Sequence, residues 1–225
     1  MNRAERVLVW DIWVRLFHWS LAVSVIFMLI SGSTGWMFFD WHRTVGEAIM
    51  VLIGFRLLWG IVGSSNARLW QLVRSPRAAV GHLLDLCKRR LHSERGHNAA
   101  GSWAVLVMLA MIAVQAATGF FIADEDELIE GALYGSLSSA TSDLLYRIHH
   151  TNAELLQIVV IVHVVMVFAY LLFGRQNLIS PMIHGSMKWL SSTPVPAVFF
   201  QSRWVGAVVL AICILVVGFV ADWYG

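Results

Sequence analysis

Apolar residues gather in five runs, separated by short polar stretches. The runs cover about residues 15–39, 42–63, 99–123, 148–174 and 204–223, each near the roughly 20 residues a helix needs to cross a hydrocarbon layer. The third has no charged residue, while the second contains Glu47 and Arg56. Trp10, Trp13 and Trp19 border one end of the first run, and Trp36 and Trp41 border the other, as in the aromatic belts of membrane interfaces. The pattern predicts an all-α integral membrane protein with five spans.

Composition supports this. Of 225 residues, 58% are hydrophobic and 13% charged, and the mean hydropathy is +0.70, which excludes an ordinary soluble domain. The uncharged stretch from Leu16 to Phe39 is too long for a signal-peptide core and reads as a span. Cys87 and Cys213 fall in different kinds of segment, so a disulfide is not expected, and the absence of C-x-x-C-H excludes covalent c-type haem attachment. No internal repeat or nucleic-acid motif is present.

Charge orients the spans. Ser64 to His97 holds Arg68, Arg74, Arg77, Lys88, Arg89, Arg90 and Arg95 against Asp85 and Glu94. The loop before span four instead carries Asp124, Glu125, Asp126, Glu127, Glu130 and Asp143, with no Lys or Arg before Arg147. Cytoplasmic loops are rich in Lys and Arg, so the basic loop is expected inside and the acidic one outside. That places the N-terminus inside and, after five spans, the C-terminus outside. The basic loop also suits contact with anionic membrane lipids.

Ionisable residues inside spans are functional candidates. In the fourth run, Arg147 to Gly174, His149 and His163 are fourteen residues apart. That is four helical turns less about 40°, so both project from nearly one face, about 21 Å apart along the axis. The topology puts His42 level with His149 toward the outer side, and His18 level with His163 toward the inner side. Two imidazoles from facing helices can supply both axial ligands of a haem iron, and a four-helix bundle is a suitable holder. A single membrane histidine also serves as an interhelical hydrogen-bonding group; two couples at matched depths favour haem ligation.

Arg56 lies as far below His42 as His163 lies below His149. Two readings stand for it: a partner for a haem propionate, with Arg15 as a second candidate, or snorkelling to the inner interface. His150 reads either as a propionate neighbour or as a solvated interface residue. His82, His92, His97 and His184, in or beside inner loops, read as solvent-facing, and their spacing matches no tight zinc pattern. Gly46, Gly54, Gly60, Gly119 and Gly174 suit close helix packing or a macrocycle.

LFHW around His18, WHRTVGEAIMVLIGFRLLW from Trp41, and RIHHTNAELLQIVVIVH ending at His163 resemble the bacterial cytochrome b561 / nickel-iron hydrogenase b-type cytochrome superfamily. The opening VWDIWVRLFHW leans toward the hydrogenase-type branch. The resemblance covers about residues 7–185. It implies a dihaem four-helix bundle, with His18 and His163 on one haem b and His42 and His149 on the other, held non-covalently. It divides the chain into a dihaem bundle at 1–175 and a loop with an additional helix at 176–225; the fifth span departs from the pattern, leaving its packing partner open. The expected role is electron transfer in a bacterial inner membrane, as one subunit of an oxidoreductase system. Quinone or quinol would exchange electrons with a periplasmic redox protein, such as a c-type cytochrome or a hydrogenase, in a respiratory chain. The acidic outer loop suits docking of a basic partner or is ordinary loop acidity. Alternatives are a self-contained superoxide:quinone oxidoreductase of the same fold, a histidine-based proton or metal transporter, and a structural anchor subunit.

Overall fold

A computed structural model describes residues 5–34, 41–89, 94–124, 129–189 and 194–223. Five helices are long and apolar enough to cross a membrane: α1 (Ile12–Thr34), α2 (His42–Val62), α4 (Ala99–Gly119), α5 (Ser139–Leu172) and α7 (Arg203–Val220). Two shorter helices, α3 (Pro76–Cys87) and α6 (Ile179–His184), lie between them. The strands are minor: β1 (Glu5–Leu8) pairs antiparallel with β4 (Ser186–Trp189), and β2 (Ala123–Asp124) with β3 (Ile129–Glu130). The protein is an all-α membrane protein with apolar outward faces, such as Val23, Leu172 and Phe219.

Local chemistry sets several helix ends. Asp11 Oδ1 accepts from the Val14 amide at 2.8 Å and caps the first turn of α1. Asn98 does the same for Gly101 in α4, and Asn177 for Ile179 and Ser180 in α6. Pro76, which has no amide hydrogen to lose, opens α3. Gly185, at φ +80°, ends α6; a side chain there would run into the Trp10 carbonyl at 2.9 Å.

Among the described boundaries two differ by four residues or more from the hydropathy expectation. Span one is helical as far as Thr34, and its expected end near Phe39 falls in residues 35–40, Trp36 among them, which lie outside the described ones. Span three stops being helical at Gly119 instead of 123, where a turn leads into β2. The fourth begins at Ser139, nine residues before the expected start. Hydropathy measures lipid contact, not helicity. Ser138 caps the Thr141 amide, no proline or glycine interrupts Ser139–Arg147, and the 34-residue helix, about 51 Å long, outreaches a hydrocarbon layer of about 30 Å.

The chain packs as two units. The first comprises Met1–Leu16, Leu57–Val107 and Val160–Gly206; the second comprises Phe17–Arg56, Met108–Val159 and Ala207–Gly225. In the first, side chains fasten loops to helix ends. Trp59, fully buried, donates its indole N–H to Asp11, Asn66 donates to the Val9 carbonyl, and Arg95 donates to the carbonyls of Leu8 and Pro196. The start of α7 is fixed there by the Trp13 indole, which donates to the Arg203 carbonyl at 3.0 Å.

In the second unit the rest of α7 lies on α2. Gly54 lets Cys213 approach, its absent Cβ position being 3.5 Å from the Sγ. The Trp223 indole donates to Glu47 Oε2 at 2.6 Å, and Arg43 Nε donates to Glu47 Oε1 at 2.9 Å. The fifth helix therefore packs on its own chain. Glu47, a carboxylate inside a span, is 6% exposed and holds two charge-assisted hydrogen bonds.

Candidate functional site

The second unit brings together His42, the first residue of α2, and His149 of α5, which lie within electrostatic reach of one another and of His150. Each ring is held by a hydroxyl from another span. Ser31 Oγ, on α1, is 3.0 Å from His42 Nδ1. Thr118 Oγ1, on α4, is 3.0 Å from His149 Nδ1. With the Nδ1 edge of each ring turned to a hydroxyl, Nε2 is the atom presented for coordination.

The helix carrying His149 is fixed in rotation. Asn152, one turn further along α5, donates to the Met111 carbonyl at 3.0 Å and to Gln115 Oε1 at 2.7 Å on α4. A lone Asn in a span is costly, and two bonds to one neighbour make it an orienting contact. Space at the rings is tight: a Cβ on Gly32 would lie 3.2 Å from His42 Cε1, and one on Gly119 would lie 3.2 Å from His149 Cε1.

Two imidazoles on separate spans, each with Nδ1 engaged and a glycine beside the ring, fit the axial ligand set of a b-type haem. Bound there, the haem supplies one-electron chemistry. His42 and His149 are the residues that would hold it. Among the described residues no three His, Cys, Asp or Glu side chains gather to hold a metal ion by themselves.

The other predicted residues are distributed as follows. His18 belongs to the second unit, half-buried and edge-on to Trp19 at 5.1 Å. His163 belongs to the first unit, also half-buried. Arg56 is 3% exposed, with Cζ 6.0 Å from the Phe17 ring centre. Snorkelling needs a head group that reaches water, so that reading fails for Arg56. Arg15 directs Nη1 to the Ile183 carbonyl at 2.6 Å. His150 is exposed and lies against Tyr146, ring centres 4.2 Å apart.

Two loop histidines are not solvent-facing. His82 stacks against Tyr170 at 5.9 Å with its side chain 11% exposed, and His97 packs half-buried on Trp10 at 4.6 Å. His82 sits on α3 and His97 in the segment before α4, folded structure that charge counting does not resolve. His184 is exposed as expected, and His92 lies outside the described residues. The spacing argument missed Ser31, Gly32 and Thr118. The signal for them is a hydroxyl–glycine pair near the end of two different spans, Ser31-Gly32 and Thr118-Gly119.

Comparison with known proteins points the same way. Residues 9–185 match the family described as prokaryotic cytochrome b561. A probable Ni/Fe-hydrogenase B-type cytochrome subunit of Bradyrhizobium diazoefficiens is 24% identical over 220 residues, covering 81% of this chain and 86% of that one. A protein of the same description from Rhizobium leguminosarum bv. viciae is 23% identical over 227 residues, covering 80% and 88%.

Proposed function

The chain belongs to the prokaryotic cytochrome b561 family and is a membrane b-type cytochrome of electron transfer, and we propose that it carries two haems b and passes electrons between quinone and a periplasmic redox partner. His42 and His149 hold the outer haem; His18 and His163 hold the inner one. Residues 1–175 form the haem-bearing part. The membrane is the bacterial inner membrane, with the N-terminus cytoplasmic and the C-terminus periplasmic, following the charge of the loops.

The observation that carries this reading is that His42 and His149, on two spans and within electrostatic reach of one another, each set Nδ1 against a hydroxyl at 3.0 Å. A transporter histidine needs a ring free to change its proton; a ring fixed at one nitrogen and offered at the other suits a permanent ligand. Arg56, buried beside Phe17 in the unit that holds His18, supports the reading of a propionate partner. The names of the relatives favour a hydrogenase as the soluble partner. On the outer side, a cleft of about 640 Å³ lined by Asp124, Asp143 and Tyr146 supports docking of a basic surface.

The test is purification of the full chain in detergent or nanodiscs. Two haems per chain by pyridine haemochrome, both reduced by a quinol, are expected. Colourless protein, or haem that quinol leaves oxidised, overturns the assignment.

A further inference from the structure

Ser31 and Thr118 do more than fill space. A hydroxyl has one proton, and both residues have a carbonyl of their own helix to give it to. Ser31 Oγ is 3.3 Å from the Met28 carbonyl; Thr118 Oγ1 is 2.8 Å from that of Val114 and 3.0 Å from that of Gln115. Serine and threonine in helices commonly donate back to the preceding turn in this way. A carbonyl oxygen only accepts, so the proton goes there and the hydroxyl oxygen is left as an acceptor toward histidine. In that arrangement the partner atoms at 3.0 Å, His42 Nδ1 and His149 Nδ1, are the donors, which is the tautomer a ligand bound through Nε2 requires. An imidazole protonated at Nδ1 has its lone pair at Nε2.

The arrangement occurs twice with the same grammar. On α1 the hydroxyl is followed by Gly32; on α4 it is followed by Gly119. Ser31 and Thr118 are buried, at 2% and 6% exposure, so water does not compete for the bond. A Cβ built on either glycine would lie 3.2 Å from a ring Cε1, so a side chain there would press on the imidazole. One back-bonded hydroxyl near a histidine is ordinary helix packing. Two hydroxyl–glycine pairs on two spans, each against one of the two histidines, form a matched set.

We infer that Ser31-Gly32 and Thr118-Gly119 are paired positioning elements for the two outer-haem ligands. The hydroxyl fixes the tautomer and the ring's orientation, and the glycine leaves the ring its place. This rests on the reading that His42 and His149 ligate one haem. A hydrogen bond from Nδ1–H makes the imidazole a stronger donor at Nε2 and stabilises the ferric state. The pair therefore holds the outer haem's potential below the value it would have with unassisted histidines.

The experiment uses the full-length, haem-loaded protein. Ser31→Ala, Thr118→Val and Thr118→Ser are compared with the wild type by haem content, potentiometric titration of the α-band and EPR of the oxidised low-spin haems. Ser31→Ala and Thr118→Val are expected to keep two haems and to move the same one of the two potentials upward. The double variant moves it further, and Thr118→Ser restores it. Potentials unchanged in haem-replete Ser31→Ala, or Thr118→Ser behaving like Thr118→Val, overturn the inference. Should Thr118→Val fail to assemble, Ser31→Ala carries the test, because it removes only one oxygen. Gly119→Ala is expected to alter or abolish the EPR signal of one haem, and a wild-type spectrum overturns the glycine half. Two haems retained in His42→Ala would instead sink the ligand reading beneath it.

Discussion

Arg95, in the first unit, and His42, in the second, are both held by hydrogen bonds, but of different kinds. Arg95 donates to the carbonyls of Leu8 and Pro196, fastening an N-terminal strand and a distant loop to the segment before α4. Asn66, Arg15 and Gln201 act alike, each giving hydrogen to a backbone carbonyl far along the chain. In the second unit the bonds run between side chains on spans: Ser31 with His42, Thr118 with His149, Asn152 with Gln115, Trp223 with Glu47. Buried backbone groups need partners, and loops that fold back on helix ends need many. Inside the spans the backbone is already satisfied by the helix, so polar side chains are left to position one another. The bonds named in the first unit close the chain; those in the second arrange the surroundings of His42 and His149.

Substitutions should separate those two roles. The largest effect falls on the site: His42→Ala or His149→Ala removes one haem and leaves the other. Pyridine haemochrome drops from two haems per chain to one, and the remaining spectrum belongs to the inner haem. If both haems disappear together, the two ligand couples are not independent and the division of roles breaks down.

Next comes Trp223→Phe. It strips one donor from Glu47, a carboxylate with 7% of its side chain exposed, and an unsatisfied buried group of this kind costs about 1–3 kcal/mol. The fifth helix should loosen, read as faster proteolysis near the C-terminus and a lower Tm, with the haem content unchanged. Arg95→Ala belongs to the other region. Its bonds are at the surface, so the loss is smaller, about 1 kcal/mol. Tm should fall while both haem potentials stay put, and a moved potential would show that the Arg95 contacts also tune a haem.

The comparison also explains what was legible in the sequence. Five spans follow from hydropathy because lipid contact demands long apolar runs, and His42 and His149 follow from their depth on those runs. Depth along a helix is fixed by 1.5 Å per residue, but rotation about its axis and the choice of neighbour are not. That is why the Ser31 and Thr118 contacts were invisible to spacing. It is also why the fifth helix had no assigned partner until Gly54 and Glu47 were seen against Cys213 and Trp223. The first unit was the less legible region. Its pairing of Glu5–Leu8 with Ser186–Trp189 joins segments about 180 residues apart that carry no hairpin signal, and His82 is carried against Tyr170 by a helix that hydropathy does not mark. The nine extra residues of α5 show the reverse limit: a helix continues past the membrane wherever no residue stops it.

The smallest effect is expected at the acidic outer end, where the site meets solvent. Asp124 stands in β2 within electrostatic reach of His42, Glu130 is paired in the neighbouring strand, and Asp143 lies on the same cleft; residues 125–127, also acidic, lie outside the described ones. Exposed charges like these steer a partner's approach and add little to the strength of its grip, and their reach is about 10 Å at 0.1 M salt. Neutralising Asp124, Asp143 and Glu130 to amides should leave haem content and Tm alone. Electron transfer to a basic partner, with a basic c-type cytochrome as the probe, should slow several-fold at low ionic strength and converge on the wild-type rate as salt rises. Stopped-flow rates against ionic strength measure this directly. Parallel salt curves for the two proteins would mean that these carboxylates only keep the loop in water, and that the second unit's ordered chemistry stops at the membrane surface.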